Sequence, residues 1–133
     1  MEAKTVSFDF DKTLSRPEVQ QYAAELIERG YNVHVVTARY DELLKHKWEA
    51  SPHNEDLWEV VDNLGIPHRR VHFTNMEMKS TLFKHAPHVL WHLDDDFVEL
   101  HFIERDTNVP GVNSLSPDWK KMCEQILNQP KTT

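Results

Sequence analysis

Asp9 and Asp11 stand two positions apart and are followed by Lys12 and Thr13. Thr37 and Arg39 come next along the chain, then Lys79, then the acidic run Asp94-Asp95-Asp96. Two carboxylates at the spacing of Asp9 and Asp11 repel each other unless a cation sits between them, one is protonated or both are solvated. Asp is also a turn former, so the pair taken alone fits an ordinary polar strand end. If the acids from both ends of the chain meet, they need a cation, and hard oxygen donors with room for water suit Mg2+. The metal and Lys79 would then attract a phosphate. Phosphoryl transfer gives each group a part. One aspartate attacks phosphorus as a carboxylate nucleophile, and a second protonates the leaving oxygen and later activates water. Thr37 and Lys79 hold the phosphoryl oxygens as charge develops, with Mg2+ neutralising and orienting them.

Such groups must be delivered to one place by the elements around them. The apolar stretch that opens at Val6-Ser7-Phe8 reads as a strand that ends in the two carboxylates. Ser15-Arg16-Pro17-Glu18 is a helix start, and Val19, Tyr22, Ala23, Leu26 and Ile27 recur at helical spacing until Gly30 closes the element. The β-branched residues Val33, Val35 and Val36 predict a buried strand that stops at Thr37-Ala38-Arg39. Strand, helix, strand within some thirty residues is the crossover unit of a parallel sheet. Positions 41–53 carry Leu43, Leu44 and Trp48 at helical spacing and break at Ser51-Pro52. A helix follows with Leu57, Val60, Val61 and Leu64, closed by Gly65-Ile66-Pro67. A third strand is predicted over 70–73, a short helix from near Met78 to Pro87, and a fourth strand over 89–93 running into the acidic run. A helical turn with Phe97 and Leu100, a short strand over 112–115 and a last helix bearing Trp119, Met122, Cys123, Ile126 and Leu127 complete the pattern. The alternation predicts a three-layer, Rossmann-like α/β sandwich with a mainly parallel sheet. In such sheets ligands bind where strands end, beside the switch in strand order, which is where the polar groups fall.

Length and composition set bounds. At 133 residues and 15.7 kDa the chain fits one domain, expected over 1–128, with 129–133 a structureless tail. No apolar run approaches the ~20 residues of a membrane span, and the N-terminus lacks a signal-peptide pattern. The lone Cys123 excludes an internal disulfide and fits a reducing cytoplasm; at an apolar helix position it reads as a buried, inert thiol. A net charge of −7 argues against nonspecific binding to nucleic acid or anionic membrane.

The ordered set resembles the haloacid dehalogenase superfamily of phosphohydrolases. The residues that carry the likeness are Asp9-Phe10-Asp11-Lys12-Thr13, Thr37 after its valine-rich strand, Lys79, and Leu93-Asp94-Asp95. The resemblance implies Asp9 as nucleophile and metal ligand, and Asp11 as acid/base that also gives a backbone carbonyl to Mg2+. Asp94 and Asp95 would hold the metal directly or through water. Thr13 and Arg39 are the candidates for substrate binding; Arg39 reads equally as a surface ion-pair partner. Lys84 competes with Lys79 but sits in the last turn of the same helix. Asp96 reads as a helix cap. The nine histidines show no convincing zinc spacing and read as scattered. Lys45-His46-Lys47 and Arg69-Arg70 are short basic runs of the kind that are usually solvated, and Trp48 reads as a core anchor.

Many members of that superfamily carry an inserted cap. Here the segments between the motifs are too short for one, so the site is expected to be open. The resemblance then implies a large phosphorylated substrate, such as a protein or a nucleic-acid end, or closure by a second subunit in a homo-oligomer. The stretch 79–95 also resembles the 3′-phosphatase domains of phage polynucleotide kinases, which would make nucleic acid a partner only as substrate. The alternative from the binding class is a non-catalytic domain of the same fold that binds a phosphorylated partner. A two-component receiver fits poorly, because no lone acid stands at a mid-chain strand end.

Overall fold

The computed structural model describes residues 4–41 and 54–129. The expected helix over 41–53, with Lys45-His46-Lys47 and Trp48, lies outside the described residues apart from Asp41, as does most of the expected tail.

Five strands, β1 (Thr5–Phe8), β2 (Asn32–Thr37), β3 (Val71–Phe73), β4 (Val89–Asp94) and β5 (Gly111–Asn113), form one sheet in the order β3-β2-β1-β4-β5. Every pairing is parallel, so the sheet is wholly rather than mainly parallel. The chain runs outward from β1 through β2 to β3, then returns to place β4 on the other side of β1. That reversal puts the switch in strand order between β1 and β4, where side chains from the two strand ends converge.

Alternation along the strands sorts the layers. Val6, Phe8, Val33, Val35, Trp91 and Leu93 pack on one face against α1 (Pro17–Glu28), α2 (Glu55–Leu64) and α5 (Trp119–Leu127). Trp91 anchors this layer, edge-on to Phe8 at 5.3 Å and stacked on Tyr22 at 6.3 Å between centroids. Its indole Nε1 is buried with no hydrogen-bond partner among the described residues. That orphan donor costs about 1–3 kcal/mol, which the burial of the large ring offsets. On the opposite face α3 (Lys79–Phe83) and α4 (Phe97–Asp106) supply Phe83 and Ile103, packed with Val36, Val89 and Val109.

Proline sits in the first turn of α1, where its missing N–H costs no helical hydrogen bond. Gly65 ends α2 in the left-handed conformation, φ 74°. Two elements differ from the sequence pattern. The helical turn expected at Phe97 is a ten-residue helix, and Phe97 itself is exposed. Charged residues at Glu99, Glu104, Arg105 and Asp106 obscure its single apolar anchor, Ile103. The helix at Lys79 is only five residues long and ends well before Pro87. Met122, expected on the apolar stripe of α5, is partly exposed, whereas Trp119 and Cys123 are buried.

Candidate active site

Local backbone geometry decides what happens to the opening pair of acids. β1 ends at Phe8, and the next residues form one wide turn, Phe10–Leu14, in which the amides of Leu14 and Ser15 donate to the carbonyls of Asp9 and Phe10. Lys12 sits in this turn at φ 59°, a left-handed conformation that costs a non-glycine residue about 1–2 kcal/mol. The turn carries Asp11 and Lys12 out to solvent and returns Thr13 to the interior. Asp9 stays buried, its amide donating to the Leu93 carbonyl at 2.8 Å, which ties the exits of β1 and β4 together.

At that junction Asp9, Asp94 and Asp95 bring carboxylate oxygens within 4.8 Å of one another. Lys79, only 2% exposed, enters from the start of α3. Its ammonium donates to Asp9 Oδ1 at 2.7 Å and to Asp94 Oδ2 at 2.6 Å. Burial pulls the lysine pKa down, but the two carboxylates outweigh it and the net shift is upward, so Lys79 is charged. Burial pushes the Asp94 carboxyl up, yet hydrogen bonding and charge from His92 and Lys79 prevail and hold it below the usual range. Asp9 is driven the other way, well up: burial dominates, Lys79 opposes it, and Asp94 and Asp95 reinforce it. Three carboxylates against one buried ammonium leave an excess of negative charge that suits a divalent cation, and the all-oxygen donor set suits a hard one. Asp9, Asp94 and Asp95 could therefore hold a metal ion.

Thr13 joins this cluster. Its hydroxyl lies 2.9 Å from Ser114 Oγ, 3.4 Å from Asp9 Oδ2 and 3.5 Å from Asp95 Oδ1. Asp96 does not join it: its carboxylate caps α4, accepting from the amides of Val98 and Glu99. Thr37 is fully buried at the end of β2, and its hydroxyl accepts the Arg39 amide at 3.3 Å. No hydrogen bond between Thr37 and the acids is present among the described residues.

Asp11 also stays apart. Arg39 binds it through two hydrogen bonds and binds Asp56 of α2 through two more, at 2.8 and 2.9 Å, while its guanidinium lies 4.9 Å from the Phe10 ring centroid. The hydrogen bonds from Arg39 hold the Asp56 carboxyl below its ordinary value, against a smaller push from burial.

Several residues of the site escape a reading of motifs. Ser7 and His92 lie directly across from each other in the β1–β4 register, each two residues before a site acid. Strand alternation places them on the same face as Asp9 and Asp94, so a polar residue two positions before each acid is the available signal. Ser114 supports Thr13 from beyond β5, and the Glu99 carboxylate accepts the Lys79 amide at 3.2 Å. The histidines are less scattered than expected: His34, His72, His85 and His88 line one cavity of about 290 Å3, with His34 Nδ1 3.0 Å from His72 Nε2. They do not bring three ligand atoms together. Among the described residues Asp9, Asp94 and Asp95 alone do so. Cys123 is buried, and burial pushes its thiol far up, as an inert cysteine requires.

No helix of the described residues is long and apolar enough to cross a membrane. No known family model matches the chain, and no curated protein matches it.

Proposed function

We propose that the chain is a Mg2+-dependent phosphomonoesterase of the haloacid dehalogenase type, acting through an aspartyl-phosphate. The observation that carries this reading is the single buried ammonium of Lys79 bridging Asp9 and Asp94, with Asp95 beside them, at the switch point of a parallel sheet.

In the first step a carboxylate oxygen of Asp9 bonds to phosphorus as the bond to the leaving oxygen breaks, and Asp11 delivers a proton to that oxygen. In the second step Asp11 takes a proton from water as the water oxygen attacks phosphorus and releases Asp9. Asp11 can serve only after its carboxyl leaves Arg39. Asp56 keeps hold of the guanidinium at that moment, so Arg39 stays placed and has donors free for phosphoryl oxygens. Lys79 shifts from neutralising Asp9 to binding the transferred group, and Thr37 is assigned to the same group at the neighbouring strand end. Asp9, Asp94 and Asp95 would hold Mg2+, which supplies charge neutralisation at the phosphoryl oxygens when bound.

The short connections between β1 and β2 and between β3 and β4 favour an open site and a large or polymer-borne phosphate, a polynucleotide end among them. Exposed Met76, in the loop before Lys79, and exposed Phe97, at the start of α4 beside the acidic run, suit contact with such a substrate.

The test is phosphate release from nucleotides, sugar phosphates, 3′- and 5′-phosphorylated oligonucleotides and phosphopeptides, with Mg2+ and with chelator. Mg2+-dependent release from one class supports the reading. Inactivity on every class, combined with tight binding of a phosphorylated ligand, would favour a binding domain of the same fold instead.

A further inference from the structure

Among the buried polar groups, His92 has no part in the chemistry assigned above. It is wholly buried in the centre of β4, a position where a parallel strand ordinarily carries an apolar side chain. Both of its ring nitrogens are engaged: Nδ1 lies 2.9 Å from Ser7 Oγ and Nε2 lies 2.8 Å from Asp94 Oδ2. Burial pushes the ring pKa down, and the hydrogen bond and charge of Asp94 oppose that push. A carboxylate only accepts, which places a ring proton on Nε2, while the Ser7 hydroxyl engages the other ring nitrogen.

The consequence falls on Asp94. Its Oδ2 receives Lys79 and His92 together, and its Oδ1 receives the Asp96 amide at 3.0 Å. Two donors on Oδ2 occupy both of its lone pairs, while Oδ1 has one to spare. Asp94 is thus fixed in rotation with one open coordination direction, and without His92 its Oδ2 would keep one donor fewer to hold that rotation.

We propose that His92, held between Ser7 and Asp94, is a positioning residue that fixes Asp94 as a one-oxygen ligand of the metal centre. The inference rests on the reading of Asp94 as a metal ligand. A protein group donating to a metal-binding side chain orients it, and losing such a group typically costs about 10–100-fold in metal affinity or activity.

Two measurements on the full chain test it. In the first, nitrogen-15 shifts of the His92 ring in the wild-type protein are expected to show a protonated Nε2, less fully so in Ser7→Ala. In the second, Mg2+ affinity is measured by calorimetry for His92→Leu, His92→Gln and His92→Asn. The leucine variant is expected to bind Mg2+ about 10–100-fold more weakly. Glutamine presents an amide N–H near the Nε2 position and is expected to restore most of the loss, whereas asparagine reaches only the Nδ1 position and does not. If the leucine variant does not fold, the glutamine-to-asparagine contrast and the wild-type ring decide. Equal affinity across the three variants and wild type, or a ring with no proton on Nε2, overturns the proposal. Wild-type protein that binds no Mg2+ overturns the metal reading itself, and this inference with it.

Discussion

Arg39 grips Asp11 at both carboxylate oxygens, Nη2 to Oδ1 at 2.6 Å and Nε to Oδ2 at 3.0 Å, and so keeps the second acid of the opening pair outside the cluster made by Asp9, Asp94 and Asp95. A planar fork of this kind fixes orientation in a way that a lysine cannot reproduce. On the proposed mechanism Arg39→Lys mispositions the acid/base and is expected to lower kcat by about 10–100-fold, an effect of the size that small misplacements produce. Steady-state kinetics on the preferred phosphomonoester provide the check; unchanged kcat would leave Arg39 as a surface pair only.

Among the described residues the buried ammonium of Lys79 is the one positive charge placed among three acids, and removing it leaves them uncompensated. Lys79→Met is expected to destabilise the metal-free protein by about 3–5 kcal/mol, the cost of breaking a buried pair from one side. Added Mg2+ should recover more stability in this variant than in wild type. Urea unfolding with and without Mg2+ measures both terms, and equal Mg2+ stabilisation of the two proteins would contradict the shared-charge account.

Asp96 distinguishes a cap from a ligand. Because its carboxylate accepts two amides at the start of α4, Asp96→Ala is expected to cost about 1 kcal/mol of stability and to leave Mg2+ affinity unchanged. Calorimetric titration of the folded variant reads the second half; a large affinity loss would place Asp96 among the ligands.

His34 and His72 govern part of the acid limb of stability. Burial, then the nearby charge of His72, Arg70, His88 and Arg69, lowers His34 from its ordinary 6.5 to about 4, and burial lowers His72 as well. Between about 4 and 6.5 the unfolded chain therefore binds more protons at His34 than the folded one, so stability falls as pH drops through that window. His34→Gln should flatten the fall. Denaturation midpoints at pH 7 and pH 5 make the comparison, and an unchanged slope would mean that His34 is protonated in the fold.

The strand ends were legible in the sequence because a parallel sheet gathers them along one edge, so Asp9, Thr37 and Asp94 could be set on that edge from periodicity. What separates Asp9 from Asp11 is a single wide turn with Lys12 at positive φ, and no composition signal marks a lysine for that conformation. The bridge from Arg39 to Asp56 joins residues of different elements, which spacing does not reveal. Ser7 and His92 looked like ordinary strand positions, and their pairing became visible only with the β1–β4 register. The length of α4 was hidden by its charged residues, with one buried isoleucine as the apolar mark of its inner side.

The central claim is that Asp9 is the group that takes up phosphate. Wild-type protein turning over its preferred substrate with Mg2+ can be stopped in acid, digested and mapped by mass spectrometry for a phosphorylated carboxylate. The account predicts phosphate on the peptide bearing Asp9 and on no other, with both the label and turnover lost in Asp9→Asn. Full turnover by Asp9→Asn, or phosphate carried on a different residue, would contradict it.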